Sequence, residues 1–416
     1  MKSNMPILQS LRGLWRYITK QRRQQFGLLF VLMLLASLAE VLSIGAVIPF
    51  LSVLTSPEKV FENPVAQTLF QSFNLTTPQE IILPLTIAFC AAALVAGILR
   101  LALLWGSMRL TYATGADISI DIYQKTLYQK YSVHVSRSSS EIINGVMTKT
   151  NASIAVVMSV LNLVGSSVTL IAVLVIIFLL DPVMASLVFA GFGFIYGGIT
   201  FVVKGRLKKD SARIAGDSTR LIKSLQEGLG GIRDILIDGS QYVYCKIYRN
   251  ADLSLRRAQG NINIVGGAPK FALETLGMIA IAAVAFSFSQ KTQGITDFIP
   301  ILGALALAAQ RLLPAMQQVY SSWSSIKGTQ VSLEDTIKLL DQPLPDYAGS
   351  PVPKKLKFTE DIVLRGISFR YEDSMPWVLE CIDLKIPKGS RVGFIGATGS
   401  GKSTLLDIIM GLLDAS

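Results

Sequence analysis

Charged residues are scarce in this chain. Asp, Glu, Lys and Arg make up 16% of its 416 residues, where soluble domains carry about 25%. Histidine is rarer still, with His134 alone, which removes most imidazole-based catalysis and metal chemistry. The three cysteines, Cys90, Cys245 and Cys381, lie far apart with no CxxC pair, so neither a disulfide framework nor a zinc site is indicated. What is abundant is apolar: 51% of the residues are hydrophobic and the mean hydropathy is +0.49. A chain this apolar can bury itself, which excludes disorder. It is equally foreign to a soluble enzyme. The length suits two to three domains, and the composition is that of a membrane protein.

Six apolar stretches, at about 26–54, 81–106, 154–180, 182–203, 262–287 and 295–320, are long enough to cross a hydrocarbon core of about 30 Å. They must be helical, because backbone polar groups in lipid need partners within their own segment. Only Asp181 and Pro182 join the third to the fourth, so these two form a tight helical hairpin. Residues 1–25 hold Lys2, Arg12, Arg16, Lys20, Arg22 and Arg23 with no acid, and residues 204–260 hold twelve bases against six acids. The segment between spans one and two has one base, Lys59, and three acids, Glu58, Glu62 and Glu80. The excess of bases makes the N-terminus, 107–153 and 204–260 cytoplasmic. Six crossings then return the C-terminus to the same side.

A basic region before an apolar run also describes a signal peptide, but the run is too long and lacks a small-x-small cleavage site. We read it as a retained span. Ahead of it, Ile7, Leu8, Leu11, Leu14, Trp15 and Ile18 recur at helical spacing among Arg12, Arg16 and Lys20. Two readings stay open: an amphipathic helix in the headgroup plane, or a continuation of span one. Spans two and four are expected to continue as helices into the cytoplasm, to about residue 129 and through 204–227. Return helices, including an arm over 242–260, complete them. Ser136, Ser138, Ser139 and Ser140 read as a solvated helix start. Asn74-Leu75-Thr76 matches a glycosylation sequon no better than chance would.

Beyond Trp323 the hydropathy falls, and 342–355 is a linker with four prolines. Strands are expected at 362–371, 378–386 and 391–395, with a turn at Pro387-Lys388-Gly389-Ser390. The third strand runs into Gly396-Ala397-Thr398-Gly399-Ser400-Gly401-Lys402-Ser403-Thr404, and a helix-like Leu-Leu-Asp-Ile-Ile run follows. This fits G-x-x-x-x-G-K-[ST] between a strand and a helix. Glycines let consecutive backbone N–H groups approach phosphate oxygens, and the following helix adds its positive end. Lys402 is the expected catalytic group, reaching the β- and γ-phosphates, and the Ser403 hydroxyl is the expected Mg²⁺ ligand. The implied cofactors are ATP and Mg²⁺. A Gly-Ser turn alone would require neither this spacing nor the Lys-Ser pair. Tyr371, thirty-one residues before Lys402, ends a strand. Its ring either packs in the core or stacks on adenine, with Val378 nearby.

Six spans, long cytoplasmic helices, a linker, a strand-final Tyr and this loop together resemble the exporter class of ABC transporters. Glu227-Gly228-Leu229-Gly230-Gly231-Ile232-Arg233 is similar to the E-x-x-x-G-I-R motif of that class's second cytoplasmic loop. The resemblance implies a coupling helix near Ile232–Asp238 that presses on a nucleotide-binding domain, and an adenine-stacking role for Tyr371. More narrowly, residues 38–50 in span one, 137–143 in the first loop and the outer segment 61–73 resemble bacterial lipid-linked oligosaccharide flippases of the N-glycosylation type.

The expected fold is therefore an α-helical membrane domain with six transmembrane helices and long cytoplasmic extensions. The N-terminal part of an α/β P-loop nucleotide-binding domain follows. The domains expected are an N-terminal helix at 1–25, the membrane domain at 26–328, a linker at 329–355 and the nucleotide-binding part at 356–416. Only twelve residues follow Thr404, with no Gln loop, signature, catalytic Asp-Glu or switch histidine among them. The chain is accordingly expected to be a fragment that does not turn over ATP by itself, the full-length protein being a hydrolysing translocase.

Ionisable groups inside spans are functional candidates: Glu40, Arg100, Lys270, Glu274 and Arg311. Lys270 and Glu274 stand i,i+4 and can neutralise each other. Arg100 can snorkel to headgroups. Were Arg100, Lys270 and Arg311 to converge on a cavity, a lipid diphosphate would be their guest, held by charge-assisted hydrogen bonds. The leading expectation is a homodimeric flippase of the cell inner membrane that moves a lipid-linked glycan outward from the cytoplasmic leaflet. Its partners are membrane lipid and a second copy, with no nucleic acid. The rivals are a multidrug, lipid or peptide exporter, and a membrane nucleotide-binding protein without turnover.

Overall fold

The computed structural model describes residues 6–55, 80, 82–180, 182–289, 299–345, 347–351, 354–355 and 357–416. At some helix positions, Arg311 among them, the side chain lies outside this description. So do the outer segment 61–73 and the sequon at Asn74. The helices are α1 (Ile7–Tyr17), α2 (Lys20–Gly45), α3 (Val47–Thr55), α4 (Ile82–Leu127), α5 (Tyr131–Ser136) and α6 (Ser139–Asn144). One π-helical turn, Gly145–Lys149, leads into α7 (Thr150–Leu180), α8 (Pro182–Gly230), α9 (Ile232–Asp238), α10 (Gln241–Ser289) and α11 (Ile299–Leu340). Then come β1 (Asp361–Phe369), β2 (Leu379–Pro387) and α12 (Lys402–Ile409).

The described residues of the six apolar stretches are helical but for the turn at Ala46 between α2 and α3, and four of the helices run 42–49 residues. At about 1.5 Å per residue, each is far longer than a bilayer is thick. Among the described residues, three helical segments, Lys20–Ser43, Ile82–Leu127 and Ser139–Val175, are apolar and long enough to span a membrane. Their lipid-facing residues, such as Leu94, Ile98, Leu101 and Trp105, stand exposed.

The long helices bury a core between them. Ile118 and Ile122 on α4, Val156 and Val157 on α7, and Ile326, Leu333 and Leu340 on α11 recur at helical spacing and meet in one cluster. Burying each such side chain stabilises the assembly by about 1.5–3 kcal/mol. Leu14 of α1 joins the same cluster. A non-helical step at Ile18-Thr19 separates α1 from α2, so α1 is no continuation of span one. Its apolar face meets α11, where Gly13 lies against Ile337. Tyr17 donates to the Asp341 carboxylate, and burial together with that carboxylate pushes the Tyr17 phenol up to about 12. Of the apolar residues read along this segment, Leu14 and Ile18 are buried against protein while Leu8 and Trp15 stay exposed. The first turn of α2 is tied to α4 through Arg22 and Asp117 at 2.8 Å.

Close helix approaches occur at glycines. An added Cβ at Gly115 would lie 2.4 Å from Ile154, and one at Gly328 would lie 2.6 Å from Ile262. The serine cluster is only partly a solvated start. Ser138 caps α6 by accepting from the Ser140 N–H, whereas Ser140 itself is buried. Helix α11 continues without a break past residue 329, the expected start of the linker, to Leu340.

Candidate nucleotide and substrate sites

β1 and β2 form an antiparallel pair with Ile362 opposite Ile386 and Leu364 opposite Leu384. A bulge follows Leu364, where Gly366 takes a positive φ and its N–H donates to Asp383. The expected strand at 391–395 is a correction: these residues are extended but join no ladder. A strand exists by virtue of a neighbour, and β1 and β2 pair with one another. The turn at Pro387–Ser390 forms as expected, with Ser390 N–H donating to Pro387. The apolar residues of the segment have no sheet to pack into, and Ile395 is 99% exposed.

The glycine loop closes into a cradle. Gly399 and Gly401 have φ of 89° and 81°, a region that costs an L-residue about 1–2 kcal/mol. Gly401 also lies against β2: a Cβ there would sit 2.9 Å from the Val378 carbonyl oxygen and from Leu379 Cδ2. Val378 therefore shapes the loop from behind, with its own N–H donating to Phe369 O at 2.9 Å. The Lys402 ammonium folds across the loop mouth, donating to Gly396 O at 2.9 Å, Ala397 O at 2.7 Å and Ser400 Oγ at 3.3 Å. These acceptors mark the place where a phosphate oxygen would take over. Ser403 is exposed on the first turn of α12, free to meet a cation. Thr404 is buried, and its Oγ1 lies 3.1 Å from Tyr371 Oη.

Tyr371 settles between its two readings in geometry. Its ring stands edge-on to Phe369 at 5.0 Å, yet the residue is 45% exposed. One side of the ring belongs to the core and the other is open beside the loop. The donor set fits a nucleoside triphosphate with Mg²⁺: a glycine cradle, the Lys402 ammonium across its mouth, a helix N-terminus and an exposed hydroxyl.

This unit is joined to the helices. Tyr131 on α5 packs against the cluster of Phe369, Leu379, Leu405 and Leu413. Lys130 meets Asp414 at 3.0 Å, an exposed pair worth little, and Gln129 donates to Pro343 O at 2.8 Å. Helix α9 has the bounds expected of a coupling helix. Gly239, at φ 64°, caps it by donating to Ile235 O. Ile232, Leu236 and Ile237 on α9 are exposed in the single chain.

Inside the helices, a cavity of about 420 Å³ opens between α2, α4, α7 and α11. Arg100 lines it, but not as a free cation: its Nη2 lies 2.9 Å from Glu40 Oε1, with the carboxylate side chain only 11% exposed. Lys270 pairs with Glu274 at 3.7 Å on the half-exposed side of α10 and does not line this cavity. Arg311 lies on α11, but its side chain falls outside the described residues. Of the three candidate bases, the described side chains therefore bring one to the cavity, already neutralised. The Glu40–Arg100 pair was missed from sequence because its members are 60 positions apart; the only signal was that each is an isolated charge in an apolar run. A second cavity of about 330 Å³, between α7, α8 and α11, is almost wholly apolar and holds Tyr196, Tyr320 and Trp323. Beyond the apolar part of α11, burial and the nearby Lys204 and Lys208 lower the Lys327 ammonium from its ordinary value.

The comparisons agree with this architecture. Residues 26–311 match the ABC transporter transmembrane region, and residues 379–416 match the ABC transporter domain. An ATP-dependent lipid A-core flippase of Cupriavidus pinatubonensis is 21% identical over 299 residues, covering 71% of this chain and 50% of that protein. Its namesake in Alkalilimnicola ehrlichii is 24% identical over 254 residues, 60% of this chain and 42% of that protein. The multidrug resistance-like ATP-binding protein MdlB of Buchnera aphidicola is 30% identical over 139 residues, 33% of this chain and 23% of its own length. The chain spans about half the length of the flippases it matches. With its transmembrane match covering more than half of the chain and the glycine loop built as described, the protein belongs to the ABC transporter family: a helical membrane domain followed by the start of a nucleotide-binding domain.

Proposed function

We propose that the full-length protein is an ATP-driven exporter that flips a lipid carrying a glycan head group, linked through a diphosphate, from the cytoplasmic leaflet outward. It works in the inner membrane as a pair of identical chains, with both termini cytoplasmic. The observation that carries this is the mechanical continuity between the two sites. Tyr131 on α5, just past the end of α4 at Leu127, packs against the cluster of Phe369, Leu379, Leu405 and Leu413 beside the cradle, and α4 reaches up to Arg100 in the polar cavity. ATP held by Lys402, Ser403 and the loop amides, with adenine on Tyr371, supplies the differential affinity that drives a two-state exchange of cavity access. Hydrolysis resets it. The flippase names of the relatives support a lipid cargo, and a membrane cavity with polar lining suits a head group drawn through it. The basic cytoplasmic segments support the orientation.

A multidrug exporter is the second reading, favoured by the apolar, aromatic cavity at Tyr196, Tyr320 and Trp323. The test places full-length protein in proteoliposomes with a fluorescent polyprenyl-diphosphate glycan, a lipid monophosphate and a cationic dye. ATP-dependent flipping of the glycan lipid is the expected result. Transport of the dye alone would move the protein to the second reading.

A further inference from the structure

The polar cavity has a lining whose chemistry is more specific than its charge count in sequence. Glu40 and Arg100 face each other at 2.9 Å across it, so the pair contributes no net charge. Around them stand neutral groups: the amides of Asn162, Gln310 and Gln318 and the hydroxyl of Ser166. Asn162, Gln310 and Ser166 make no hydrogen bond with another described residue, and Gln318 reaches only Ser322, at 3.5 Å. Pro314 adds a backbone acceptor to the same wall. It has no N–H, so the carbonyl of Gln310 lacks its i+4 helical donor. The opposite face of the α7–α11 wall lines the apolar cavity, through Leu163, Leu170 and Tyr320. The two faces of one wall thus differ in kind.

An anion entering here would have to displace Glu40 from Arg100 or lie beside a buried carboxylate, and either is costly in a low-dielectric site. A neutral group rich in hydroxyls meets no such penalty, since amides offer it donors and acceptors together. A cavity of about 420 Å³ is within the range of small-ligand sites. The geometry points to a subsite for the uncharged sugar of the lipid head group, read by Asn162, Gln310, Ser166 and the freed carbonyl. The Glu40–Arg100 pair orients hydroxyls and rejects phosphate. This rests on the flippase reading and assigns the diphosphate to another part of the path.

The test measures equilibrium binding to full-length protein in nanodiscs without nucleotide. The probes are a polyprenyl diphosphate capped as its methyl ester and the same lipid bearing one hexose in place of the methyl, so that both carry the same charge. The hexose is expected to raise affinity at least tenfold, with a gain independent of salt between 50 and 500 mM (on the order of two to three neutral hydrogen bonds). Asn162→Leu with Gln310→Leu should abolish that gain and leave the bare lipid's affinity unchanged. Glu40→Gln should raise affinity for the bare diphosphate several-fold by removing the carboxylate's charge from the cavity. Should that variant fail to fold, the salt dependence of the wild type decides the matter. Equal or tighter binding of the bare diphosphate to wild-type protein, falling steeply with salt, overturns the proposal. ATP-driven translocation is scored separately in proteoliposomes: its absence beside hexose-selective binding would sink the flippase reading while leaving the sugar subsite in place.

Discussion

Two glycines of the nucleotide loop separate backbone strain from steric contact, and alanine at each measures the difference. Gly399 and Gly401 both have φ near +85°, at 89° and 81°. A Cβ on Gly399 meets nothing within 4 Å. Gly399→Ala should therefore cost only the conformational strain, about 1–2 kcal/mol. A Cβ on Gly401 meets the Val378 carbonyl oxygen and Leu379 Cδ2 at 2.9 Å each and Val378 Cγ1 at 3.3 Å. Backbone cannot swing aside as a side-chain tip can, so overpacking adds about 1–3 kcal/mol. The excess for Gly401→Ala is then about 2 kcal/mol, or roughly thirtyfold in an opening equilibrium. Hydrogen exchange of the α12 amides, Lys402 to Ile409, reads that opening locally, without assuming two-state unfolding of a multidomain protein. Protection should fall about thirtyfold further in Gly401→Ala than in Gly399→Ala, with the weaker ATP-analogue binding in the former. Equal losses in the two variants would refute the packing of β2 against the loop.

Asp335 joins Lys149 and Lys338, each at 2.9 Å. Burial raises its carboxyl, but the hydrogen bonds from Lys338 and Lys149 prevail and hold it below its ordinary value. The stabilisation is therefore fully present above the unfolded carboxyl value of about 3.9 and fades as pH falls through the lower folded one. Asp335→Asn should lower thermal stability by about 2 kcal/mol, equally at pH 6 and pH 8; a loss that differs between those two pH values would contradict the assignment. Gly115→Ala drives a methyl into Ile154 at 2.4 Å and should cost about 1–3 kcal/mol. Gly216→Ala, with nothing within 4 Å, should stabilise by up to about 1 kcal/mol; thermal melts of the purified protein compare the pair. At Tyr371, Phe keeps the ring and loses only the bond to Thr404, so ATP-analogue affinity should drop less than about threefold. Ala removes the stacking face as well and should cost about tenfold; indistinguishable affinities for the two variants would remove Tyr371 from the adenine site.

The class of the molecule was legible because its strongest signals are local. A run of apolar residues is helical in lipid wherever it lies, and a glycine loop with Lys402 and Ser403 describes its own phosphate cradle by spacing alone. The bounds of α9, Ile232–Asp238, were those that the resemblance to ABC exporters implied. What sequence could not supply was pairing at a distance. Glu40 and Arg100 looked like two separate charges, and Arg100 like a cation awaiting phosphate, until α2 and α4 placed them 2.9 Å apart. For α1 the spacing left open a helix in the headgroup plane or a continuation of span one; the break at Ile18-Thr19 and the burial of Leu14 in the helix core are features of the tertiary structure that spacing does not carry. Residues 391–395 have the composition of a strand, but a strand is a relation between segments, and no described segment pairs with them. Helix, turn and phosphate loop are written in near neighbours along the chain. Charge state, cavity chemistry and sheet membership depend on which distant residues meet, and tertiary structure alone decides that.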